Sequence, residues 1–155
     1  MLVRKATEAD LDRILVIERQ SFARPWSKPF LQRLLNNALV LVYEQRGWVI
    51  GYLIAELKRS LDDTAPVGHL LDLAVAPDCR RAGVATKLLR KFFRLCQQVS
   101  TTRIYLEVRV DNRVAIRFYE KNGFIITRRL ARAYGDGQDG YLMERQFKES
   151  LEGQP

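Results

Sequence analysis

The chain has 155 residues, of which 47% are hydrophobic, 28% charged and 10% aromatic. That length and apolar content suit one globular domain with its own core, and they exclude a disordered chain. Lys and Arg number 26 against 18 Asp and Glu, a net of +8 that calls for anionic partners.

No apolar run approaches the roughly 18 residues of a membrane span, so no membrane segment is expected. Met1-Leu2-Val3-Arg4-Lys5 opens no stretch of signal-peptide length either, which argues against export. Cys79 and Cys96 are too few for a disulfide framework, and a reducing cytoplasm is the simpler expectation. The charge is uneven. Residues 80–132 hold 14 cations against Glu107, Asp111 and Glu120, a net of +11, while the rest of the chain nets −3. An anionic partner for this middle stretch is either a nucleic acid or a small phosphorylated molecule.

Leu2 to Ala6 reads as a short strand, and Thr7-Glu8-Ala9-Asp10 as an N-cap followed by acids in a first helical turn. Leu11, Ile14, Leu15 and Ile17 recur at helical spacing and carry that helix to Ser21. Ser27-Lys28-Pro29 starts a second helix, with Phe30, Leu31, Leu34 and Leu35 as its buried stripe. Leu39 to Glu44 and Trp48 to Leu57 are strands joined by Gln45-Arg46-Gly47. Lys58 to Pro66 is a polar loop, and Gly68 to Val75 is a strand broken only by His69 and Asp72. Val84 to Ser100 is the clearest helix, its apolar face running from Val84 through Leu88, Phe92 and Cys96 to Val99. Arg103 to Val110 alternates as a strand, with Tyr105, Glu107 and Arg109 on the side opposite Ile104, Leu106 and Val108. A short helix from Asn112 presents Val114, Ala115, Phe118 and Tyr119 and stops at Asn122-Gly123. Phe124 to Ala133 and Tyr141 to Phe147 are the last strands. The order β-α-α-β-β-β-α-β-α-β-β predicts a single α/β domain over residues 1–148, followed by a frayed polar tail over 149–155.

The most informative junction runs from the strand Leu71 to Val75, through Arg80-Arg81-Ala82-Gly83, into the helix at Val84-Ala85-Thr86. Unpaired N–H groups and the positive dipole at a helix N-terminus hold phosphate oxygens. Gly83 lets the backbone approach an anion, Ala85 keeps the first turn slim, and Arg80 and Arg81 add charge in a fork suited to phosphate. Taken alone, the segment is equally well an Arg-rich loop before an ordinary helix. Neither a P-loop nor a dinucleotide-binding glycine pattern is present.

In context, Arg80-x-x-Gly83-x-Ala85 after that strand resembles the acetyl-CoA motif of the GNAT N-acetyltransferases. Tyr105 to Asn112, Ala115 to Phe124, Pro25-Trp26-Ser27 and Asp136 to Met143 resemble the protein N-terminal acetyltransferase branch. Within it, the bacterial ribosomal-protein alanine N-acetyltransferases (RimI) and their archaeal relatives are most similar. The resemblance implies a mixed, mostly antiparallel sheet of about seven strands, helices on both faces, and a central splayed strand pair. It implies that the backbone of Leu73, Ala74 and Val75 pairs with the pantetheine arm of acetyl-CoA, that Arg80, Arg81, Ala82, Gly83, Val84, Ala85 and Thr86 cradle the pyrophosphate, and that Asn112 contacts the cofactor arm. Glu107 matches a general base and Tyr119 a general acid for the leaving thiolate, close to the cofactor. His69 matches a histidine of the archaeal branch that assists proton removal, and Trp26, Asp72 and Tyr134 fall on the substrate side. One departure stands out: relatives carry two adjacent tyrosines where this chain has Ala133-Tyr134, and the first of them holds the peptide backbone.

Each residue also has a plainer reading. Glu107 is either a base or a solvated strand residue paired with Arg109 or a cross-strand cation, and His69 either assists it or is a satisfied polar residue at a strand end. Tyr119 either donates a proton or simply packs beside Phe118. Asp72 either meets substrate or faces the splayed opening. The cysteines show no metal-ligand or nucleophile spacing, so no metal is expected. The leading expectation is transfer of acetyl from acetyl-CoA to a protein N-terminus, with a ribosomal protein among the acceptors. Transfer to a small amine or lysine is the second reading, and a basic RNA- or ribosome-binding module the third. Nucleic-acid contact is compatible with the first reading without being required by it, and the sequence leaves oligomeric state open.

Overall fold

Thr7 opens the first helical segment by donating its backbone N–H to the Asp10 carboxylate at 2.8 Å. The segment enters as a 3-10 turn over Glu8–Asp10 and continues as helix α1 (Leu11–Ser21), where one uninterrupted helix was expected. Helix α2 (Lys28–Asn37) starts as expected at Ser27, whose Oγ accepts the Phe30 N–H at 3.3 Å, with Pro29 in the first turn. Helices α3 (Val84–Gln98) and α4 (Arg113–Lys121) follow later in the chain. Seven strands complete the fold: β1 (Leu2–Lys5), β2 (Leu39–Gln45), β3 (Trp48–Lys58), β4 (Val67–Val75), β5 (Arg103–Arg109), β6 (Ile125–Leu130) and β7 (Gly140–Gln146).

These elements come from a computed structural model that describes residues 2–59 and 65–147. The loop centre expected around Asp62 and Asp63 and the tail expected over 149–155 lie outside the described residues. The strands form one mixed sheet in the order β1-β2-β3-β4-β5-β7-β6. Pairs β1/β2, β2/β3, β5/β7 and β6/β7 are antiparallel, and β4/β5 is parallel. The β4/β5 ladder pairs Val67, Gly68 and His69 with Arg103, Ile104 and Tyr105. The chain forms two compact units: Met1–Leu57 with Leu70–Cys96, and Lys58–His69 with Gln97–Pro155.

In the first unit, alternate residues of β2 and β3 serve two helix layers. Val40, Val42, Tyr52 and Ile54 join Ile14, Ile17, Leu31 and Leu34 of α1 and α2 in one core. The opposite face meets α3, where a Cβ on Gly51 would lie 3.0 Å from Val84 Cγ1, 3.2 Å from the Ala74 carbonyl oxygen and 3.3 Å from Leu88 Cδ1. Covered on both faces, β3 is buried continuously from Val49 to Ala55. Gly51 is therefore a contact requirement. Gly51→Ala is expected to cost about 1–3 kcal/mol, because both a β-branched side chain and a carbonyl would have to move; urea unfolding measures it, and an unchanged midpoint would contradict the packing.

In the second unit, β5 alternates as expected, with Ile104, Leu106 and Val108 buried. The α4 face differs from expectation. Ile116 is its buried residue, while Val114 is 81% exposed. Two residues along a helix is a rotation of about 200°, so Val114 and Ile116 cannot both face inward. Val99 likewise falls just beyond α3 and is exposed.

Candidate active site

The parallel rung His69↔Tyr105 sets the geometry of the second unit's polar cluster. It stacks the two rings 4.2 Å apart at 15°. Glu107, two residues further along β5, projects from the same face as Tyr105, and its Oε2 lies 2.8 Å from His69 Nε2. On the far side of the imidazole, Lys58 Nζ stands 3.4 Å from Nδ1. An ammonium only donates, so Nδ1 is the acceptor and the Nε2–H points at Glu107. That hydrogen bond is the main reason the Glu107 carboxyl titrates below its ordinary value, against an opposing contribution from partial burial. The His69 side chain is 12% exposed and that of Glu107 40%, so the carboxylate is the wet end of the pair. Arg109 is engaged elsewhere, with Asp111 at 3.5 Å and in a close ion pair with Asp136. The pairing of Glu107 with Arg109 is not what the fold adopts.

Tyr119 lies half-buried on α4, its ring edge-on to Phe118 and to Phe124 at 5.3 and 5.5 Å. Asn112 caps the same helix, its Oδ1 accepting the Ala115 N–H at 3.2 Å, a contribution of about 1 kcal/mol. Tyr134 lies over the Arg109 guanidinium at 4.9 Å, in space that Gly140 leaves open. Burial, then the charge on Glu107, pushes its phenol pKa up. The turn between β6 and β7 is braced by Asp139, which accepts from Arg129 Nε at 2.8 Å and from the Arg132 N–H at 2.9 Å.

The first unit carries the remaining candidates. Within that unit β4 is the edge strand, so Leu73, Ala74 and Val75 lie where backbone groups are open to a strand-like partner. Arg80 is partly occupied: its Nε donates to the Val75 carbonyl at 3.0 Å and its Nη2 to Ser21 Oγ at 3.3 Å. It clamps the end of β4 to the end of α1. Arg81 and Gly83 both have left-handed backbones, φ 66 and 79, separated by Ala82. Such alternation turns successive N–H groups into an anion-binding concavity. A Cβ on Gly83 would meet nothing within 4 Å, so the glycine is required by its φ, and the space above the loop is open. Val84, Ala85 and Thr86 then supply a first helical turn with no acid in it. These features fit a diphosphate. Among the described residues, no group of three or more His, Cys, Asp or Glu is placed to hold a metal ion.

Two substrate-side candidates turn inward. Trp26 packs edge-on to Phe30 at 5.0 Å and against the α1/α2 core. Asp72 is 8% exposed and lies with Tyr52 and Glu18, the Tyr52 phenol oxygen being 2.7 Å from Glu18 Oε2 and 3.2 Å from Asp72 Oδ2. Glu18 and Tyr52 were not singled out from the sequence. The signal for Glu18 was present: it completes the 11, 14, 15, 18 spacing of the α1 stripe, an inward position. Lys58 had none, since nothing in the sequence ties it to His69.

Residues 11–124 match the family model described as the acetyltransferase (GNAT) family. An N-alpha-acetyltransferase of Sulfurisphaera tokodaii is 33% identical over 91% of this chain and 90% of its own length. A putative ribosomal-protein-alanine N-acetyltransferase of Bacillus subtilis is 34% identical over 78% of each chain. The crystal structure of Ard1 from Thermoplasma volcanium superposes with a TM-score of 0.84 and 28% identity, covering 96% of this chain and 98% of that one. With most of its length matched in sequence and nearly all of it in fold, this chain belongs to the GNAT acetyltransferase family.

Proposed function

We propose that the protein transfers acetyl from acetyl-CoA directly to the α-amino group of a protein N-terminus. The observation that carries this reading is the 2.8 Å hydrogen bond between His69 Nε2 and Glu107 Oε2, which leaves an ionised carboxylate at the exposed end of the pair. An α-amine has a pKa of about 8, so roughly a tenth is neutral at pH 7 and a modest base suffices. A lysine amine, at about 10.4, is neutral about once in 2,500. The names of the Sulfurisphaera and Bacillus relatives support the same acceptor class, with a ribosomal protein among the candidates.

When bound, acetyl-CoA supplies an activated acyl carbon and a thiolate leaving group. The β4 edge at Leu73–Val75 orients its arm, and the Arg80–Thr86 loop holds its diphosphate. Asn112 is assigned a contact to the arm in addition to its cap. Glu107 takes a proton from the attacking amine through a water, with His69 fixing the carboxylate's orientation. Tyr119 returns a proton to sulfur. As the C–N bond forms and the C–S bond breaks, one proton leaves the amine and one arrives on the thiolate. No helix among the described residues is long and apolar enough to cross a membrane. Free Cys79 and Cys96 support a reducing cytoplasm.

The test is a peptide library, varied in its first two residues, incubated with acetyl-CoA and followed by thiol release and mass spectrometry. Acetylation at the N-terminus of a subset is expected. A small amine or lysine acceptor is the second reading, favoured by Ala133 standing where the family resemblance implies a tyrosine. Inert peptides beside a reactive polyamine or internal lysine would establish that alternative.

A further inference from the structure

Helix α3 contains no acid, and Lys87, Arg90, Lys91 and Arg94 recur on it at i, i+3, i+4 and i+7, one continuous face. Those four cations line a groove of about 430 Å³. Its other wall is apolar, made by Leu2 and Val3 of β1, the strand at the sheet edge, and by Tyr43 of β2. Lys87 reaches across, its Nζ 3.5 Å from the Tyr43 hydroxyl and over that ring. None of the four cations pairs with an acid among the described residues, whereas Arg4, Arg103, Arg109 and Arg129 all do. Other cations without an ion pair, Arg19, Arg24 and Arg33 among them, lie elsewhere, but these four stand on one helix face and line one groove.

We propose that this α3/β1 groove binds the phosphate backbone of a nucleic acid, RNA in particular, independently of base sequence. Lys87 to Arg94 spans seven residues of helix, about 10 Å, which is about three axial steps of ~3.4 Å along one strand of a nucleic-acid helix, so the four cations can meet four phosphates. Arginine forks engage phosphate oxygens two at a time, and lysines supply point charge between them. A row of like charges along one helix face complements a polymer charged along its length better than it does a folded acidic surface. The groove would hold the enzyme on an RNA-rich assembly by a surface distinct from the Arg80–Thr86 loop. That gives the excess positive charge of the middle segment a use beyond one cofactor.

The experiment is fluorescence anisotropy with a labelled 20-nucleotide single-stranded RNA of mixed sequence, between 50 and 200 mM KCl, with acetyl-CoA saturating. For the wild-type chain, log Kobs against log salt is expected to fall with a slope of about −3, since four neutralised phosphates contribute ~0.7 each. The triple variant Arg90→Gln, Lys91→Gln, Arg94→Gln is expected to bind at least tenfold more weakly, with the slope reduced by about 2. A control of equal charge, Arg19→Gln, Arg24→Gln, Arg33→Gln, on and between α1 and α2, the layer on the sheet face opposite α3, is expected to stay within about twofold, because exposed charges beyond ~10 Å are screened. All the substituted residues are on the surface, so the melting temperature should hold; the single Arg94→Gln, with a slope change of about 0.7, provides a milder check. The proposal is overturned if the triple variant binds like wild type, or if no binding occurs at 50 mM. Displacement of RNA by acetyl-CoA would place the RNA at the Arg80–Thr86 loop and overturn it too. Tighter binding of a polyglutamate peptide than of RNA would assign the groove to an acidic protein instead.

Discussion

Glu107→Gln is expected to lower kcat by two to four orders of magnitude, the range that a positioned general base contributes, while leaving the Kd for acetyl-CoA unchanged. The substitution is nearly isosteric. The amide oxygen still accepts the His69 Nε2–H now donated to Oε2 at 2.8 Å, so the β4–β5 contact and the stacking of His69 on Tyr105 persist. Only the capacity to take a proton is lost. The wild-type carboxyl titrates below its ordinary value, held down chiefly by the His69 hydrogen bond, so it is already a carboxylate wherever the amine begins to lose its proton. The rise of kcat/KM between about pH 6 and 8 therefore belongs to the acceptor amine, whose pKa is about 8. In the variant that rise keeps its midpoint and loses its height. The stability consequence has the opposite location. A depressed carboxyl stabilises the fold above its unfolded pKa, and that stabilisation is lost as pH falls through the folded value, so the variant should show a shallower acid limb on unfolding. Tyr119→Phe should also lower kcat without weakening cofactor binding, by removing the proton source for sulfur. Turnover close to wild type in Glu107→Gln would end the base assignment, and the same result in Tyr119→Phe would end the acid assignment.

The order of helices and strands was readable because each element keeps its own period: two in β5, where alternate residues are buried, and 3.6 in α3, whose stripe from Val84 to Cys96 is fully inside. What failed was local. Helix α4 has only nine residues, too few for its apolar positions to define one face, and Val114 was assigned inward while Ile116 occupies that place. The pairing of His69 with Glu107 was legible only through family resemblance. The two are 38 positions apart, and the parallel register that joins them is a tertiary fact. Asp72 shows the limit most clearly: an acid on an apolar strand was visible as odd, but its partners come from α1 and β3, and no spacing rule links the three. Arg80 was read as a phosphate ligand from its neighbours in sequence, whereas its contacts with Val75 and Ser21 follow from the turn it closes.

That interior network carries the second large expected effect. Tyr52 is fully buried, Glu18 is 3% exposed, and the phenol oxygen lies 2.7 Å from the Glu18 carboxyl. Asp72 is pushed well above the usual carboxyl range, first by burial and then by its hydrogen bond and proximity to Glu18. Asp72 is thus the acid whose protonated form the fold favours, because like charges this close cannot both ionise inside a core. Tyr52→Phe removes a donor and leaves the volume unchanged. Leaving the buried Glu18 carboxyl without this donor costs about 2 kcal/mol, or a Tm lower by ~4–8 °C for a chain of this size. Asp72→Asn has the opposite sign. A carboxyl whose folded pKa is raised gives its full stability below the unfolded value, near pH 4, and loses it as pH rises toward the folded value. Asparagine donates to Glu18 without needing a proton from solution, so the variant should match or exceed wild-type stability at pH 7 and lose that advantage near pH 3. Chemical unfolding of both variants across pH 3–9 distinguishes a proton held at Asp72 from simple packing. If Asp72→Asn is as destabilising as Tyr52→Phe at pH 7, the proton does not reside on Asp72 and the network is held by something else.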